Sequence, residues 1–370
     1  MTSTSEHKFP CISCGADLRF APGTDQLICE HCGAENHMPD TPSGKESNLY
    51  RQENDYQAAI SGGLSELATE ETRFSKCDNC GAEIEFSEEV HATECAFCAA
   101  PLVTDTGTHR RLKPAALLPF KLDEKAARTA MTNWLGKLWF APNGLQEYAR
   151  KGRALNGIYS PFWTYDADTK SRYSGQRGDA YYVTRTVTVQ ENGKSVQRQQ
   201  QERRIRWSAK SGRVARFFDD ILVLATTSLP KSYTDALEPW DLSALVPYQP
   251  DYLAGFRAEG YTITLAQGYD EARNIMDHQI DRDVRSDIGG DEQQVDRIDT
   301  TVSDITFKHI LLPIWTAVYK YRGKTFRFVV NGQTGTVKGQ RPWSWVKITF
   351  AVIAGAIIAG VIGYILSQNQ

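Results

Sequence analysis

Residues Cys11–Ala34 read CISCGADLRFAPGTDQLICEHCGA, and two Cys-x-x-Cys pairs frame this stretch, with 14 residues between the pairs. Such a pair on a tight turn can bind one Zn²⁺ through both thiolates, and a glycine directly after the pair, here Gly15, permits that turn. Two of these turns on a short β-hairpin complete a tetrahedral four-thiolate site. The stretch therefore predicts a zinc ribbon, a small β module built around a structural metal.

The whole pattern occurs again 66 residues later, and Gly15, Ala16 and Phe20 recur as Gly81, Ala82 and Phe86. A constant offset of this kind indicates a duplicated module. We expect zinc ribbons over residues 1–38 and 75–103, and therefore two structural zinc ions. The expected zinc ligands are Cys11, Cys14, Cys29 and Cys32 in the first module and Cys77, Cys80, Cys95 and Cys98 in the second.

Other uses of these cysteines fit the sequence less well. Four thiolates leave no open coordination position, so activation of a water molecule by the metal is not expected. Thiol–disulfide exchange needs one reactive pair at a strand-to-helix junction, and two matched double pairs do not have that pattern. His31 and His91 could compete as ligands, but four cysteines already complete each site.

Composition places the chain among globular proteins. It has 370 residues, of which 41% are hydrophobic and 24% are charged, and 42 Lys and Arg against 45 Asp and Glu give a net charge of -3. Between Cys77 and Cys98 six side chains are acidic and none is basic. Nucleic-acid affinity depends on Lys and Arg against phosphate, so binding of nucleic acid is unlikely and a protein surface is the expected partner of the ribbons.

The C-terminal segment is apolar. Ile348–Leu366 has 19 residues without a charge, which is about the length of one membrane-spanning helix. Lys338, Arg341 and Lys347 precede it, so the positive-inside rule places the N-terminal bulk in the cytoplasm. We expect a single-pass protein of the cytoplasmic membrane, anchored through its tail by a helix over residues 346–366, with residues 367–370 as a short tail.

Small residues recur every fourth position in this segment, and they would form one stripe where two helices can approach closely. The stripe predicts a homodimer through the membrane helix. The expected contact residues are Ala351, Gly355, Ala359 and Gly363.

Residues 112–341 alternate between helix-like and strand-like segments and show a second, fainter duplication. A helix capped by Asp123 and one capped by Asp270 each precede a strand with the motif Pro-x-Trp-Thr, which ends at Thr164 and at Thr316. Two hairpins are expected, with turns at residues 192–193 and 322–324. These features predict an α+β domain with an antiparallel sheet and helices on one face. Residues 39–74 are expected to be a linker with a short helix.

No catalytic motif stands out. Gly323-Lys324-Thr325 resembles the end of a P-loop, but Val318 stands where the motif requires glycine. The basic run Arg198–Arg206 (RQQQERRIR) could contact phosphate, although its alternation in a strand is also typical of a solvated sheet face. The sequence therefore argues against an ATPase or helicase, and we expect no enzyme activity.

Several further motifs carry a resemblance to a known family, which extends over nearly the whole chain. With the paired cysteine modules and the apolar C-terminus they resemble a bacterial family of membrane-anchored proteins that have transcription-factor-IIB-type zinc ribbons. Members are often labelled as relatives of a primosomal helicase, which the missing P-loop contradicts here. The motifs are Leu118–Lys121, Gly157–Trp163, Tyr173–Gly178 and Val330–Gly335.

Relatives in that family are encoded beside SPFH-domain (flotillin- or stomatin-like) and phage-shock proteins and help to hold them at the membrane. The resemblance therefore implies a non-enzymatic adaptor that recruits protein partners, with an SPFH-domain protein as one candidate. The alternative from another class is a membrane-tethered nucleic-acid or transcription-associated zinc-ribbon protein. An enzyme with its site in the α+β domain is a third, weaker hypothesis.

Overall fold

The computed structural model describes residues 9–38, 52–62, 69–85, 92–98, 100–103, 108–142, 155–191, 194–321 and 324–368. Much of the expected linker, both expected hairpin turns and His91 lie outside the described residues.

The first cysteine module (residues 9–38) contains three short strands, β1 (Leu18–Phe20), β2 (Gln26–Cys29) and β3 (Glu35–His37), in one antiparallel sheet. In the linker, β4 (Asn54–Asp55) leads into the short helix α1 (Tyr56–Ile60). Next come β5 (Thr69–Lys76), β6 (Glu83–Glu85), β7 (Ala92–Glu94), β8 (Pro101–Val103) and β9 (Thr108–Leu112). The second cysteine module (residues 75–103) lies within this set.

The main domain is built on three unusually long strands. β11 (Asn156–Glu191), β12 (Lys194–Leu224) and β15 (Glu292–Tyr321) have 36, 31 and 30 residues, and β11 pairs antiparallel with both of the others. At about 3.3 Å per residue, β11 runs for roughly 120 Å. The other elements are β10 (Ala116–Leu117), α2 (Glu124–Gly136), α3 (Lys231–Thr234), β13 (Val246–Pro247), β14 (Arg257–Ala258), α4 (Leu265–Ile288), β16 (Lys324–Asn331), β17 (Val337–Gly339) and α5 (Trp345–Gln368).

The main sheet is mixed, so the expectation of an antiparallel sheet was incomplete. β10 pairs parallel with β15, and β14 pairs parallel with β11. These two strands have only two residues each and therefore leave no alternation that a sequence could show. Helices α2 and α4 pack on the same face of the sheet, against Tyr159, Trp163 and Trp315.

The two Pro-x-Trp-Thr strands lie side by side about a local twofold axis. The axis passes between the strands where Ser160 pairs with Leu312, next to the pair of Tyr159 with Pro313. The indole of Trp163 donates to the carbonyl of Ile263, just before α4, and that of Trp315 donates to the carbonyl of Leu122, just before α2, both at 3.0 Å. Each repeat thus holds the start of the other repeat's helix.

Helix α4 begins earlier than the sequence suggested. Its N-cap is Thr264, which forms a capping box with Gln267, so the expected cap at Asp270 was wrong. Gly268 therefore lies inside the helix, although glycine is a poor helix former. The fold requires a glycine at this position, because a Cβ there would lie 2.5 Å from the Tyr165 hydroxyl. Helix α2 has the expected cap at Asp123. It ends at Gly136, whereas the sequence predicted a helix through Trp139.

Beyond the last β11–β15 pair, Gly178 with Glu292, strands β11 and β12 continue alone as a two-stranded arm. The arm consists of residues 179–191 and 194–206 and is roughly 40 Å long. Tyr181 and Tyr182 are exposed on it. The rest of the long sheet, by contrast, buries one face under α4.

Candidate metal centres

Each cysteine module brings its four sulfur atoms together, and within each set the ligand atoms all lie within 4.8 Å of one another. In the first module the Sγ atoms of Cys11 and Cys32 are 3.6 Å apart, and those of Cys14 and Cys29 are 3.5 Å apart. A tetrahedral site with Zn–S bonds of about 2.3 Å requires sulfur–sulfur distances of about 3.8 Å. The cluster therefore has nearly the size that a zinc ion needs.

The second module repeats this geometry. Cys77 and Cys98 have their Sγ atoms 3.5 Å apart, and Cys80 and Cys95 have theirs 3.6 Å apart. All eight cysteines are reduced and none forms a disulfide. The two four-sulfur clusters thus suggest two zinc-type sites, each made by the residues that the sequence pattern indicated.

Glycine shapes the turns that hold the sulfurs. Gly15, Gly33 and Gly81 all have φ of 75°, a left-handed conformation that glycine adopts without a steric penalty. Their amides donate to the carbonyls of Cys11, Cys29 and Cys77, at 2.8, 2.9 and 2.7 Å. A closed turn of this kind points both thiols of a pair to the same side.

Hydrogen bonds shift the pKa values of the cysteine thiols in both directions. Burial raises the pKa of Cys11, but hydrogen bonds from the backbone of Ser13 and Cys14 lower it, and the net pKa is about 6. In the second module the thiol of Cys80 donates to Cys95 and, against the effect of burial, lowers the pKa of Cys95 to about 5. The same contact with Cys95, together with burial, raises the pKa of Cys80, so a cation that binds all four sulfurs must still displace protons from the cluster.

The second cluster is part of the core of the main domain. Cys77, Cys95 and Phe97 are buried and pack in one hydrophobic cluster with Phe162 and Ile314 of the sheet. The carbonyl of Ala96, between the last two cysteines, accepts a hydrogen bond from the buried Thr316 hydroxyl at 3.0 Å. Anything that unfolds this module therefore exposes one face of the main sheet.

The first cluster is attached through its hairpin and leaves one turn exposed. Phe20 is buried and contacts Tyr252 with ring centroids 5.0 Å apart, and its amide donates to the carbonyl of Ala254. Ile12, in the first cysteine turn, is 90% exposed. At the matching position the second module has Asp78, so an apolar turn tip distinguishes the first module.

The C-terminal helix α5 is long and apolar enough to cross a membrane, and none of its described residues is buried. A Cβ added at Gly355, Gly360 or Gly363 would meet no atom within 4 Å, so the small-residue stripe is uncovered in one chain. The expected dimer through this helix stays a prediction.

Exposed aromatic side chains surround the start of α5, a feature that the sequence alone did not connect. Trp343 precedes the helix, Trp345 opens it and Trp139 follows α2, and all three are exposed. The half-buried Phe140 lies between Trp139 and Trp343 and contacts both rings. Lys347 donates to the carbonyl of Trp139 at 3.0 Å. Aromatic belts with adjacent cations are typical of the membrane–water interface.

A third polar cluster, which the sequence did not indicate, joins Glu53, Asp166 and Asp220. Lys308 is buried beside them and forms ion pairs with Glu53 at 2.8 Å and Asp220 at 3.0 Å. Burial, together with a hydrogen bond to Glu53, raises the pKa of Asp166 to about 7. Because Lys308 bridges Glu53 and Asp220, this cluster fastens the segment before α1 to the sheet.

Comparison with known proteins adds a relative but no function. No family model matches the chain, so its resemblance to the zinc-ribbon family stays a prediction. The chain is similar to the uncharacterized protein YdjG of Bacillus subtilis (strain 168), with 27% identity over 355 residues and 94% of each chain covered. No solved structure matches.

Proposed function

We propose that the protein is a non-enzymatic adaptor of the cytoplasmic membrane, in which two structural zinc ribbons and the long-stranded domain are held at the cytoplasmic surface by α5. The observation that carries this proposal is the exposed apolar helix, whose start is surrounded by Trp139, Trp343 and Trp345. Lys338, Arg341 and Lys347 precede or open it and favour a cytoplasmic domain.

The clusters support an adaptor because a four-thiolate zinc site is closed to substrate. The second module is built into the main core, whereas the first presents Ile12 to solvent, and the exposed charged residues of that module include Asp17, Asp25 and Glu30. An exposed apolar side chain on a polar surface is suited to a protein partner. We expect the first module to bind that partner, and an SPFH-domain protein is the candidate that the family resemblance offers.

The test is affinity purification of tagged full-length protein from membranes, followed by mass spectrometry. The wild type is compared with Ile12→Asp and, as a matched control in the second module, with Asp78→Ala. The proposal predicts that an SPFH-domain protein is enriched with the wild type and with Asp78→Ala, and is lost with Ile12→Asp while both zinc ions remain. Equal recovery with α5 fused to an unrelated soluble domain would contradict it.

A second candidate function, a membrane-tethered nucleic-acid binder, is favoured by the arm. Its described β12 side chains include Arg198, Arg203, Arg204 and Arg206 against the single acid Glu202. Fluorescence anisotropy with single- and double-stranded oligonucleotides separates the two functions. The adaptor proposal predicts weak binding at physiological salt, whereas tight, salt-sensitive binding lost in Arg204→Glu with Arg206→Glu would favour the second candidate.

A further inference from the structure

The long sheet has two outer edges that no other strand covers. Among the described residues, β12 pairs with β11 alone, and β15 from Glu292 to Ile305 also pairs with β11 alone. The open edges are roughly 100 Å and 45 Å long. Such edges present free backbone N–H and C=O groups and can accept another strand, and natural proteins usually shorten or block them.

The two open edges have opposite charge. Residues 195–220 of β12 include seven basic side chains and three acidic ones, Glu202, Asp219 and Asp220. Residues 207–220 are the part of β12 that lies level with residues 292–305 of β15, and their basic side chains are Lys210, Arg213 and Arg216. Residues 292–305 of β15 include four acidic side chains and one basic one, Arg297. The basic residues of β12 are Arg198, Arg203, Arg204, Arg206, Lys210, Arg213 and Arg216, and the acidic residues of β15 are Glu292, Asp296, Asp299 and Asp304.

Opposite charges also lie at the same level of the sheet. Arg213 pairs with Arg172 of the central strand, which pairs with Asp299 on the other side, and all three side chains are exposed on one face. Lys210 pairs with Gly175, which pairs with Val295, the neighbour of Asp296. A second copy shifted sideways, without sliding along the strands, would place its acidic β15 edge against the basic β12 edge.

Strand direction allows this arrangement for proteins that share one membrane. β12 and β15 are both antiparallel to β11, so they run in the same direction. A sideways copy therefore keeps its orientation, and its helix α5 stays at the same end as that of its neighbour. Pairing of β12 with β12 would instead bring two basic edges together, and like charges directly opposite are destabilising.

From the open edges and their matched charges we infer that copies of this chain associate side by side, with the β12 edge of one copy added to the β15 edge of the next. This goes beyond the proposed adaptor function, which requires no self-association. Each copy uses two different edges, so the contact is heterologous and produces a ring if the rotation closes or a row if it does not. The arms would then project from the assembly together.

Charge reversal tests the inference in full-length, zinc-loaded protein in detergent, with mass measured by analytical ultracentrifugation across a concentration series. One variant, Lys210→Glu with Arg213→Glu, makes acidic the part of β12 (residues 207–220) that lies level with residues 292–305 of β15. The other, Asp296→Lys with Asp299→Lys, makes the β15 edge basic. Arg172→Glu is the matched control, because it makes the same kind of change on the central strand, where both edges are occupied.

We expect the wild type and Arg172→Glu to associate, and each double variant alone to lose affinity by at least about tenfold. Mixing the two double variants should restore association, since each acidic edge then faces a basic one; this restoration also shows that both variants are folded. A monomeric wild type, a double variant that associates like the wild type, or a mixture that stays monomeric would overturn the inference. Higher salt should weaken the wild-type assembly.

Discussion

The buried His309 should contribute a loss of stability on acidification, whereas the raised pKa of Asp166 contributes in the opposite direction. Its Nδ1 lies 3.0 Å from the Leu112 carbonyl, so the neutral ring donates there, and Nε2 has no hydrogen-bond partner among the described residues. Burial lowers the pKa of His309 from its ordinary 6.5 to about 4. Below pH 6.5 the unfolded chain binds a proton that the folded chain refuses, so stability is full above pH 6.5 and is lost as the pH falls toward 4.

Between pH 7.5 and pH 5 this difference amounts to about 2 kcal/mol of unfolding free energy. Urea unfolding of the full-length protein in detergent, followed by tryptophan fluorescence, measures it. His309→Phe keeps an aromatic ring beside Trp163 and Tyr261, and on going from pH 7.5 to pH 5 its unfolding free energy should change by about 2 kcal/mol in the stabilising direction relative to the wild type. His278→Gln, at an exposed histidine of α4, should change with pH as the wild type does. The reasoning fails if His309→Phe loses as much stability as the wild type over this pH range.

Four further changes test other parts of the structure. Trp315→Phe removes the hydrogen bond before α2 and should cost about 1–3 kcal/mol of unfolding free energy in urea. Gly81→Ala places a side chain at φ of 75° and should speed zinc loss to a chelator by distorting the turn after Cys80. Deletion of residues 348–370 should move the protein from the membrane to the soluble fraction. Gly355→Leu with Gly363→Leu should leave the protein in the membrane and lower any helix-mediated cross-linking.

The cysteine clusters and the apolar helix could be predicted because their signals are local. Spacing alone identified the eight sulfurs that the fold groups into two sets of four, and the uncharged run from Ile348 to Leu366 lies within α5. Asp123 was likewise a sufficient local signal for the start of α2, since its side chain accepts a hydrogen bond from the amide of Ala126 at 2.7 Å.

The missed features depend on residues far apart in the chain. Gly268 looks like an interruption of a helix until Tyr165 and Trp163 are seen packed against it. The hairpin with its turn at residues 192–193 was predicted, but nothing in its local sequence shows that its strands continue the core strands without a break. Lys308 and Glu53 are more than 250 residues apart, so nothing in either local sequence shows that they form a buried ion pair.

Metal content tests the central claim most directly, that two closed four-thiolate centres are built into this membrane-anchored domain. Zinc per chain should be measured by mass spectrometry of purified full-length protein whose thiols are kept reduced. The account predicts two zinc ions per chain in the wild type and one zinc ion per chain in Cys77→Ser. A chelator should release both zinc ions from the wild type, and the packed core around Phe97 should then be lost. A stoichiometry well below two with all thiols reduced would contradict it.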